Sequence, residues 1–195
     1  MPWAAGLPAC LRVPVAARDL SAIEQHVGTI VREIPDGPNP PGYIVGPHTI
    51  PDIDPRLPVW NLPEASILHE RMQLWVHVDG RRYRSQFAEA FSDIDILGKD
   101  IDHVMNRHVA RLKGFHYARV VCISPAANRS SGAISEKWAI DYHGSEEMQR
   151  RHRESKARVQ YADIADLAKM LNIAVGGGVM GQLNDVQHLF RERRP

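Results

Sequence analysis

Two short stretches of the chain carry the residue types that phosphodiester hydrolysis requires. Asp102 and His103 lie in the stretch Ile101-Asp102-His103-Val104, and Asn128 follows the apolar run Val120-Val121-Cys122-Ile123. Hydrolysis needs a general base that takes a proton from water and a hard cation that is held by oxygen atoms. His103 is a candidate base, and the side-chain oxygens of Asp102 and Asn128 are candidate cation ligands. These residue types and their order predict a metal-dependent nuclease.

The residues around these stretches predict the elements that must hold them. Residues 106–113 predict a short helix that ends at Gly114, and residues 117–124 predict a strand. Pro125 stops that strand and suits the first turn of a helix, which would carry Asn128. Upstream, the alternating apolar residues of the segment 72–78 predict a further strand, and residues 82–91 predict either a returning strand or a short helix.

With these elements around it, the chain resembles the HNH, or ββα-metal (His-Me finger), endonuclease superfamily. In that superfamily an Asp-His pair ends one strand, a second strand follows, and an Asn or His at the start of a helix completes the metal site. Ile101-Asp102-His103-Val104 matches the first part, and Arg119-Val120-Val121-Cys122-Ile123-Ser124 with Asn128-Arg129-Ser130-Ser131-Gly132 matches the second. The resemblance implies an α+β fold with a small ββα-metal-like core and added helices.

The resemblance also implies a role for each candidate site residue. Asp102 and Asn128 would hold a divalent metal ion through their oxygen atoms, and Mg²⁺ suits such ligands best. His103 would be the general base, because the pKa of an unperturbed histidine is about 6.5. Arginines would hold the phosphate, since their guanidinium groups pair with two oxygens at once. Arg119 would be a catalytic residue, and Arg107 and Arg129 would bind the substrate.

One position departs from the pattern of the superfamily. Arg119 stands where the superfamily has an asparagine that orients the histidine, so Asn106 or His116 would have to take over that function. The residues alone also allow other roles, since Asp102 and Asn128 both suit helix caps or turns. A zinc site made only of histidines is a competing interpretation, but the spacing of the three candidates does not place them on one helix face: His103, His108 and His116.

Proline density divides the chain into three predicted parts. Residues 1–63 hold most of the prolines, which oppose continuous helix and central strand, and they predict a proline-rich N-terminal arm or linker. One helix fits before the densest part, capped by Asp19 and with apolar positions at Ile23, Val27, Ile30 and Val31. Residues 64–145 are then the HNH-like nuclease domain. Residues 146–195 predict a C-terminal helical extension that Gly176-Gly177-Gly178 interrupts.

Composition and charge are those of a soluble globular protein that could bind a polyanion. Residues 103–160 hold eleven Lys or Arg and five Asp or Glu, although the net charge of the whole chain is only +1. This concentration of basic charge around the motif suits nucleic acid, and an ordinary solvated helix face would have the same composition. Two cysteines, Cys10 and Cys122, are too few for a disulfide framework or a four-thiolate zinc site.

No segment predicts a membrane helix or a secretory signal. The first residues lack a continuous apolar core, because Arg12, Pro14 and Arg18 interrupt it. We therefore expect synthesis in the cytoplasm, and export, if it occurs, by a secretion system that does not read a signal peptide.

Three functions are compatible with these patterns. The first is a metal-dependent endonuclease, with DNA favoured over RNA as substrate. It would act as an antibacterial toxin effector that resembles polymorphic-toxin nuclease domains and requires an immunity protein as partner. The second is a non-catalytic adaptor or structural protein that binds partners through the proline-rich arm and the basic face. The third is an RNA-binding or RNA-cleaving protein that uses the same basic face.

Overall fold

The computed structural model describes residues 13–47, 72–131, 133–170 and 172. Their fold is α+β, with helices packed around a curled antiparallel sheet. The strands of this part are β1 (Pro14–Ala17), β2 (Gly28–Asp36), β3 (Asn39–Pro47), β4 (Gln73–His77), β5 (Asp100–His103), β6 (Tyr117–Ile123) and β7 (Val159–Tyr161). The helices are α1 (Leu20–His26), α2 (Tyr83–Ala90), α3 (Arg107–Leu112), α4 (Pro125–Ser131), α5 (Ala133–Gly144), α6 (Glu146–Glu154) and α7 (Ile164–Met170).

Strand β6 is the centre of the sheet. The described strands follow the order β2-β3-β4-β6-β1-β7, and β5 also pairs with β6. At Val120, β6 pairs with Leu74 of β4 on one side and with His103 of β5 on the other. At Ala118, it pairs with Ala16 of β1 on the same side as β5. Strands β1 and β5 therefore share one edge of β6, and β5 occupies the half of that edge that leads into α4.

Residues 13–47 are part of the sheet, although the sequence predicted that they belong to the proline-rich arm. They supply β1, β2 and β3, and β3 lies between β2 and β4. Pro40 and Pro41 lie between the paired residues Asn39 and Gly42, next to an irregularity in the register. The missing N–H groups of these prolines are tolerated there because the ladder is interrupted. The rest of the predicted arm, residues 1–12 and 48–63, lies outside the described residues.

Helix α1 confirms the predicted N-terminal helix but is shorter than predicted. The Asp19 carboxylate accepts a hydrogen bond of 2.7 Å from the backbone of Ala22, which caps the first turn. The helix ends at His26, and Ile30 and Val31 belong to β2 instead. Gly28 disfavours helix, and the β-branched run Thr29-Ile30-Val31 favours strand, so the helical spacing of these apolar residues was misleading.

The elements around the candidate site agree with the sequence pattern. The predicted strand in 72–78 is β4, the predicted strand in 117–124 is β6, and residues 82–91 form a helix, α2. Asn106 caps α3, and Gly114 adopts the left-handed φ of +78° that ends this helix. Helices α4, α6 and α7 also lie where helices were predicted, whereas β7 was not predicted. The triple glycine and the final segment are outside the described residues.

The two faces of the sheet pack against different helices. On one face, α1 covers a buried cluster that includes Trp75 and Val45. On the other, α2 covers a second cluster that includes Leu74, Phe87 and Ile101. None of the described helices is long and apolar enough to cross a membrane.

Candidate functional site

Strand β5 places Asp102 and His103 on opposite faces of the sheet. Its burial alternates, with Ile101 and His103 buried and Asp100 and Asp102 half-buried. This alternation arises because successive side chains of a strand point to opposite faces. His103 is the last residue of the strand, and its Nδ1 atom still lies 4.0 Å from Oδ1 of Asp102. The two groups are therefore neighbours that lie in different surroundings.

The half-buried face of β5 carries a group of oxygen-bearing side chains: Asp100, Asp102 and Asn128, here called the oxygen cluster. Asp100 and Asp102 share this face because they are two residues apart in a strand. The side-chain amide of Asn128, on α4, donates a hydrogen bond of 3.0 Å to Oδ2 of Asp100. Asn128 thus contacts the strand at Asp100, one position before the sequence-predicted motif begins.

Helix α4 is held in place at its first turn. Ser124 precedes it, and its hydroxyl accepts a hydrogen bond of 3.1 Å from the backbone of Ala127. The backbone N–H of Ser124 donates in turn to the side-chain oxygen of Asn172, at 2.7 Å. This capping directs the helix so that Asn128 faces β5.

Lys169 places a positive charge on the oxygen cluster. Its ammonium donates to Oδ2 of Asp102 at 2.6 Å and to the backbone carbonyl of His103 at 2.7 Å. The residue lies on α7 and is only 4% exposed, although lysine is almost never buried without a partner. Oδ1 of Asp102 accepts a hydrogen bond from the backbone N–H of His103, so both of its oxygens are engaged.

His103 lies in the core on the other face. Its side chain is 4% exposed, and its ring packs edge-on against Tyr83 with ring centroids 4.6 Å apart. The Nε2 atom is buried and has no hydrogen-bond partner in the part of the chain that the structure describes. Burial lowers the pKa of His103 to about 4, and this effect outweighs the opposing effect of Asp102. The imidazole is therefore neutral at pH 7, with one nitrogen available to accept a proton.

The three predicted arginines lie in different environments. Arg119 is only 6% exposed, and burial lowers its pKa to about 9. It shares the face of Asp102, because it lies two residues from Val121, the residue directly opposite Asp102 in the ladder. Arg107 on α3 and Arg129 on α4 are both exposed. A phosphate in solution can reach these two side chains directly, whereas Arg119 lies beneath the surface.

The residues that were expected to replace the missing asparagine have other contacts. The side chain of Asn106 accepts hydrogen bonds from the backbone of His108 and Val109, which caps α3. The ring of His116 lies near that of His77, with centroids 6.0 Å apart. The ring of His103 lies next to Tyr83 and Asp102 instead.

The sequence-predicted site residues are brought together only in part. Asp102 shares its face of β5 with Asp100, and Asn128 contacts Asp100, whereas His103 faces the core. Asp100 and Lys169 were not among the residues predicted for the site. Asp100 had a usable signal, since a residue two positions before Asp102 in a strand shares its face. Lys169 had none, because it is 67 residues away from Asp102 in sequence.

The donor set of the oxygen cluster suits a hard cation rather than zinc. Two carboxylates and one amide offer oxygen ligands, which Mg²⁺ combines with water and substrate phosphate. Lys169 already places a cationic group against Asp102 at hydrogen-bonding distance. Within the described ranges, no group of three or more His, Cys, Asp or Glu side chains is arranged to hold a metal ion. A metal bound here would therefore take its remaining ligands from water or phosphate.

Comparisons with protein-family models, with curated proteins and with solved structures found no match to this chain.

Proposed function

We propose that the protein is a divalent-metal-dependent endonuclease whose centre is the oxygen cluster and His103. The observation that carries this proposal is the contact of Lys169 with Asp102, at 2.6 Å, on a face that also holds Asp100 and Asn128. A positive charge is already accommodated among side-chain oxygens next to a neutral imidazole. A metal ion in the place of that charge, together with a histidine that accepts a proton, would supply the two components that hydrolysis of a phosphodiester requires.

The order of the elements supports the resemblance to a ββα-metal core. Strands β5 and β6 are antiparallel neighbours, with Asp102 directly opposite Val121. Helix α4 begins at Pro125, directly after Ser124, and carries Asn128 back onto β5. In this proposal, two strands and the following helix hold the metal ligands between them.

Each residue of the site has a defined task in the proposed reaction. Asp100, Asp102 and Asn128 would hold Mg²⁺, which would stabilise negative charge on the phosphate. His103 would accept the proton of the attacking water, which requires its ring, now packed against Tyr83 on the opposite face, to turn towards the oxygen cluster. Its pKa of about 4 is low for a general base, and access of water to the ring would raise that pKa towards the ordinary value of 6.5.

The exposed arginines supply the contact with the substrate. Arg107 and Arg129 can each pair with a backbone phosphate through two N–H groups. DNA is the substrate class that we favour, and RNA is the alternative. A nuclease of this kind would be an antibacterial effector with an immunity protein as partner, exported without a signal peptide.

A cleavage assay tests the proposal directly. Purified protein is incubated with plasmid DNA and with total RNA, in Mg²⁺ or Mn²⁺ and with or without EDTA. We expect cleavage that EDTA abolishes and that His103→Ala lowers by at least about 100-fold, the usual contribution of a general base. His26→Ala is the matched control, because His26 is exposed on α1 and far from β5 in sequence. Absence of metal-dependent cleavage, or equal cleavage by wild type and His103→Ala, would rule the proposal out.

The second candidate is a non-catalytic interaction protein, and the exposed aromatic residues of α5 favour it. Trp138 is 65% exposed and Tyr142 is 43% exposed, and their rings stack with centroids 5.1 Å apart. Exposed aromatic side chains of this size are frequent anchors of protein interfaces. Under this function, the pair of Lys169 and Asp102 is structural and Trp138→Ala weakens partner binding. The cleavage assay distinguishes the two candidates, since an interaction protein cleaves nothing.

A further inference from the structure

We propose that the hydrogen bond between His143 and His152 is an acid-sensitive latch that holds α6 on the body of the protein and releases it when both rings are protonated. His143 lies near the end of α5, and His152 lies on α6. Nδ1 of His143 and Nε2 of His152 are 3.1 Å apart. Both residues are outside the oxygen cluster, so the latch does not depend on the nuclease chemistry.

Helix α6 is held on the body by a small number of polar contacts. None of its nine residues, all of which the structure describes, is buried. Met148, Gln149 and His152 are half-buried and share one face of the helix. The side-chain amide of Gln149 donates to the backbone carbonyl of Leu112 at 2.9 Å and to that of His143 at 2.8 Å. A helix that buries no apolar face depends on such contacts for its position.

The bond between the two rings allows one added proton but not two. When both rings are neutral, the N–H of one ring donates to the unprotonated nitrogen of the other. One added proton leaves a cationic donor facing a neutral acceptor, and a bond of this kind is stronger. A second proton leaves an N–H on both facing nitrogens, so that neither accepts and two positive charges repel each other. Double protonation therefore turns the attraction between α5 and α6 into a repulsion.

The surroundings of the pair oppose its protonation. Burial lowers the pKa of His143 to about 4 and also lowers the pKa of His152, and in both cases the positive charge of Lys113 acts in the same direction. Lys113 follows α3, and the nearby Asp166 and Asp163 favour its charged form. The other titratable side chains described on α3, α4, α5 and α6 are exposed: Arg107, His108, Arg111, Arg129, Lys137, Asp141, Tyr142, Glu146, Glu147, Arg150, Arg151, Arg153 and Glu154.

Acid therefore favours the released helix. In released α6 both rings are solvated, and their pKa values return towards the ordinary value of about 6.5. Between this value and about 4, the released state binds more protons than the docked state. Helix α6 thus stays docked above pH 6.5 and is released as the pH falls towards 4.

Hydrogen exchange of the amides of residues 146–154 tests the latch. Protection factors at pH 7 and pH 4.5 are compared in wild type and His152→Gln. The glutamine amide can donate to His143 or accept from it at either pH, and it carries no charge. We expect the protection of α6 to fall at least about tenfold in acid in wild type, and by less than about threefold in His152→Gln. No loss in wild type, or equal losses in the two proteins, overturns the proposal.

His26→Gln is the matched control. His26 is exposed on α1, so this variant loses one titratable imidazole without a change at the latch. We expect the same loss of protection in α6 as in wild type. All three proteins keep His103, so the pH dependence that comes from this residue is common to them. Protection in acid that His26→Gln preserves as well as His152→Gln would attribute the effect to the number of histidines and overturn the proposal.

Titration of the assigned imidazole ¹⁵N signals is an independent test on the wild-type protein. We expect His143 and His152 to titrate in two separate steps that belong to the pair, both below pH 6.5. In His152→Gln, His143 should titrate in one step. A single common step at about 6.5 for both rings of wild type is the behaviour of two solvated histidines and overturns the proposal.

Discussion

The two faces of β5 differ in what they do with adjacent residues. On the α7 side, Asp102 is paired with Lys169 and its side chain is 27% exposed. On the α2 side, the neighbouring His103 is 4% exposed and packs against Tyr83. On one face, Asp102 and Lys169 form an ion pair at the edge of solvent. On the other, the ionisable ring of His103 is neutral in the core. One peptide bond therefore separates a carboxylate that is paired with a lysine from a buried, neutral imidazole.

The largest expected effect is the difference between two asparagine substitutions at consecutive residues of β5: Ile101, on the core face, and Asp100, on the face of the oxygen cluster. Ile101→Asn should lower the free energy of unfolding by about 3–5 kcal/mol, because it leaves a cavity and an unpaired amide in the core. Asp100→Asn should cost about 1 kcal/mol or less, because the amide has the shape of the carboxylate and still meets Asn128. Urea denaturation of both variants provides the measurement. Similar losses in the two would remove the distinction between the faces.

A smaller effect concerns the pH dependence of stability. The pKa of His103 is about 4 when folded and about 6.5 when unfolded, so the unfolded chain binds more protons between these values. The free energy of unfolding should therefore fall by about 3 kcal/mol as pH decreases from 6.5 to 4, and His103 should contribute no pH dependence above 7. His103→Leu should lose this part of the pH dependence. The measurement is urea denaturation of both proteins across this range.

The difference between wild type and His103→Leu isolates this residue. Burial also lowers the pKa of His143 to about 4, and that histidine is present in both proteins. Parallel pH profiles for wild type and His103→Leu would contradict the burial of a neutral His103.

A further test concerns the face of β5 that carries the oxygen cluster. Asn128→Ala removes the amide that donates to Asp100, and should lower the free energy of unfolding by about 1 kcal/mol, the usual net contribution of one hydrogen bond. It should also weaken the binding of Mn²⁺ to the oxygen cluster. Ser130→Ala, on the same helix, is the control: its hydroxyl bonds within α4 to Ala127, so its Mn²⁺ affinity should be unchanged. Equal Mn²⁺ affinity in both variants would remove Asn128 from the ligand set.

The smallest expected effect distinguishes the two exposed arginines. Neither Arg129→Gln nor Arg107→Gln should change the free energy of unfolding by more than about 0.5 kcal/mol, because both side chains are exposed. If nucleic acid lies along the face of β5 that carries the oxygen cluster, Arg129→Gln on α4 should reduce the salt dependence of DNA binding. The reduction should equal the contribution of about one phosphate contact. Arg107→Gln on α3 should reduce the salt dependence less. Fluorescence anisotropy in EDTA at several salt concentrations measures both, and equal slopes for the two variants would contradict this orientation.

The local elements of the site could be predicted because their signals are local. Asn106 caps α3, Gly114 ends it, and Pro125 opens α4, each through its own backbone preference. The strand pattern of residues 117–124 also needed no knowledge of its partners. The position of Asn128 near β5 follows from these elements and could therefore be predicted from the sequence.

The contribution of the N-terminal region and of β7 could not be predicted in this way. Pro40 and Pro41 suggested an arm, but β3 accommodates them at a break in its ladder. Strand β7 has only three residues and exists because β1 offers it an edge. Such strands depend on pairing between distant segments, and local propensity does not predict that pairing.

The sequence by itself determined which chemical groups stand next to each other along the chain. It placed a carboxylate beside an imidazole, and an amide at the start of the next helix, because residue types and capping preferences are properties of short segments. Only the tertiary structure decided that the imidazole is buried while the carboxylate meets Lys169. Burial and long-range ion pairs depend on which elements cover each face of a strand, and that choice is made by the packing of the whole sheet.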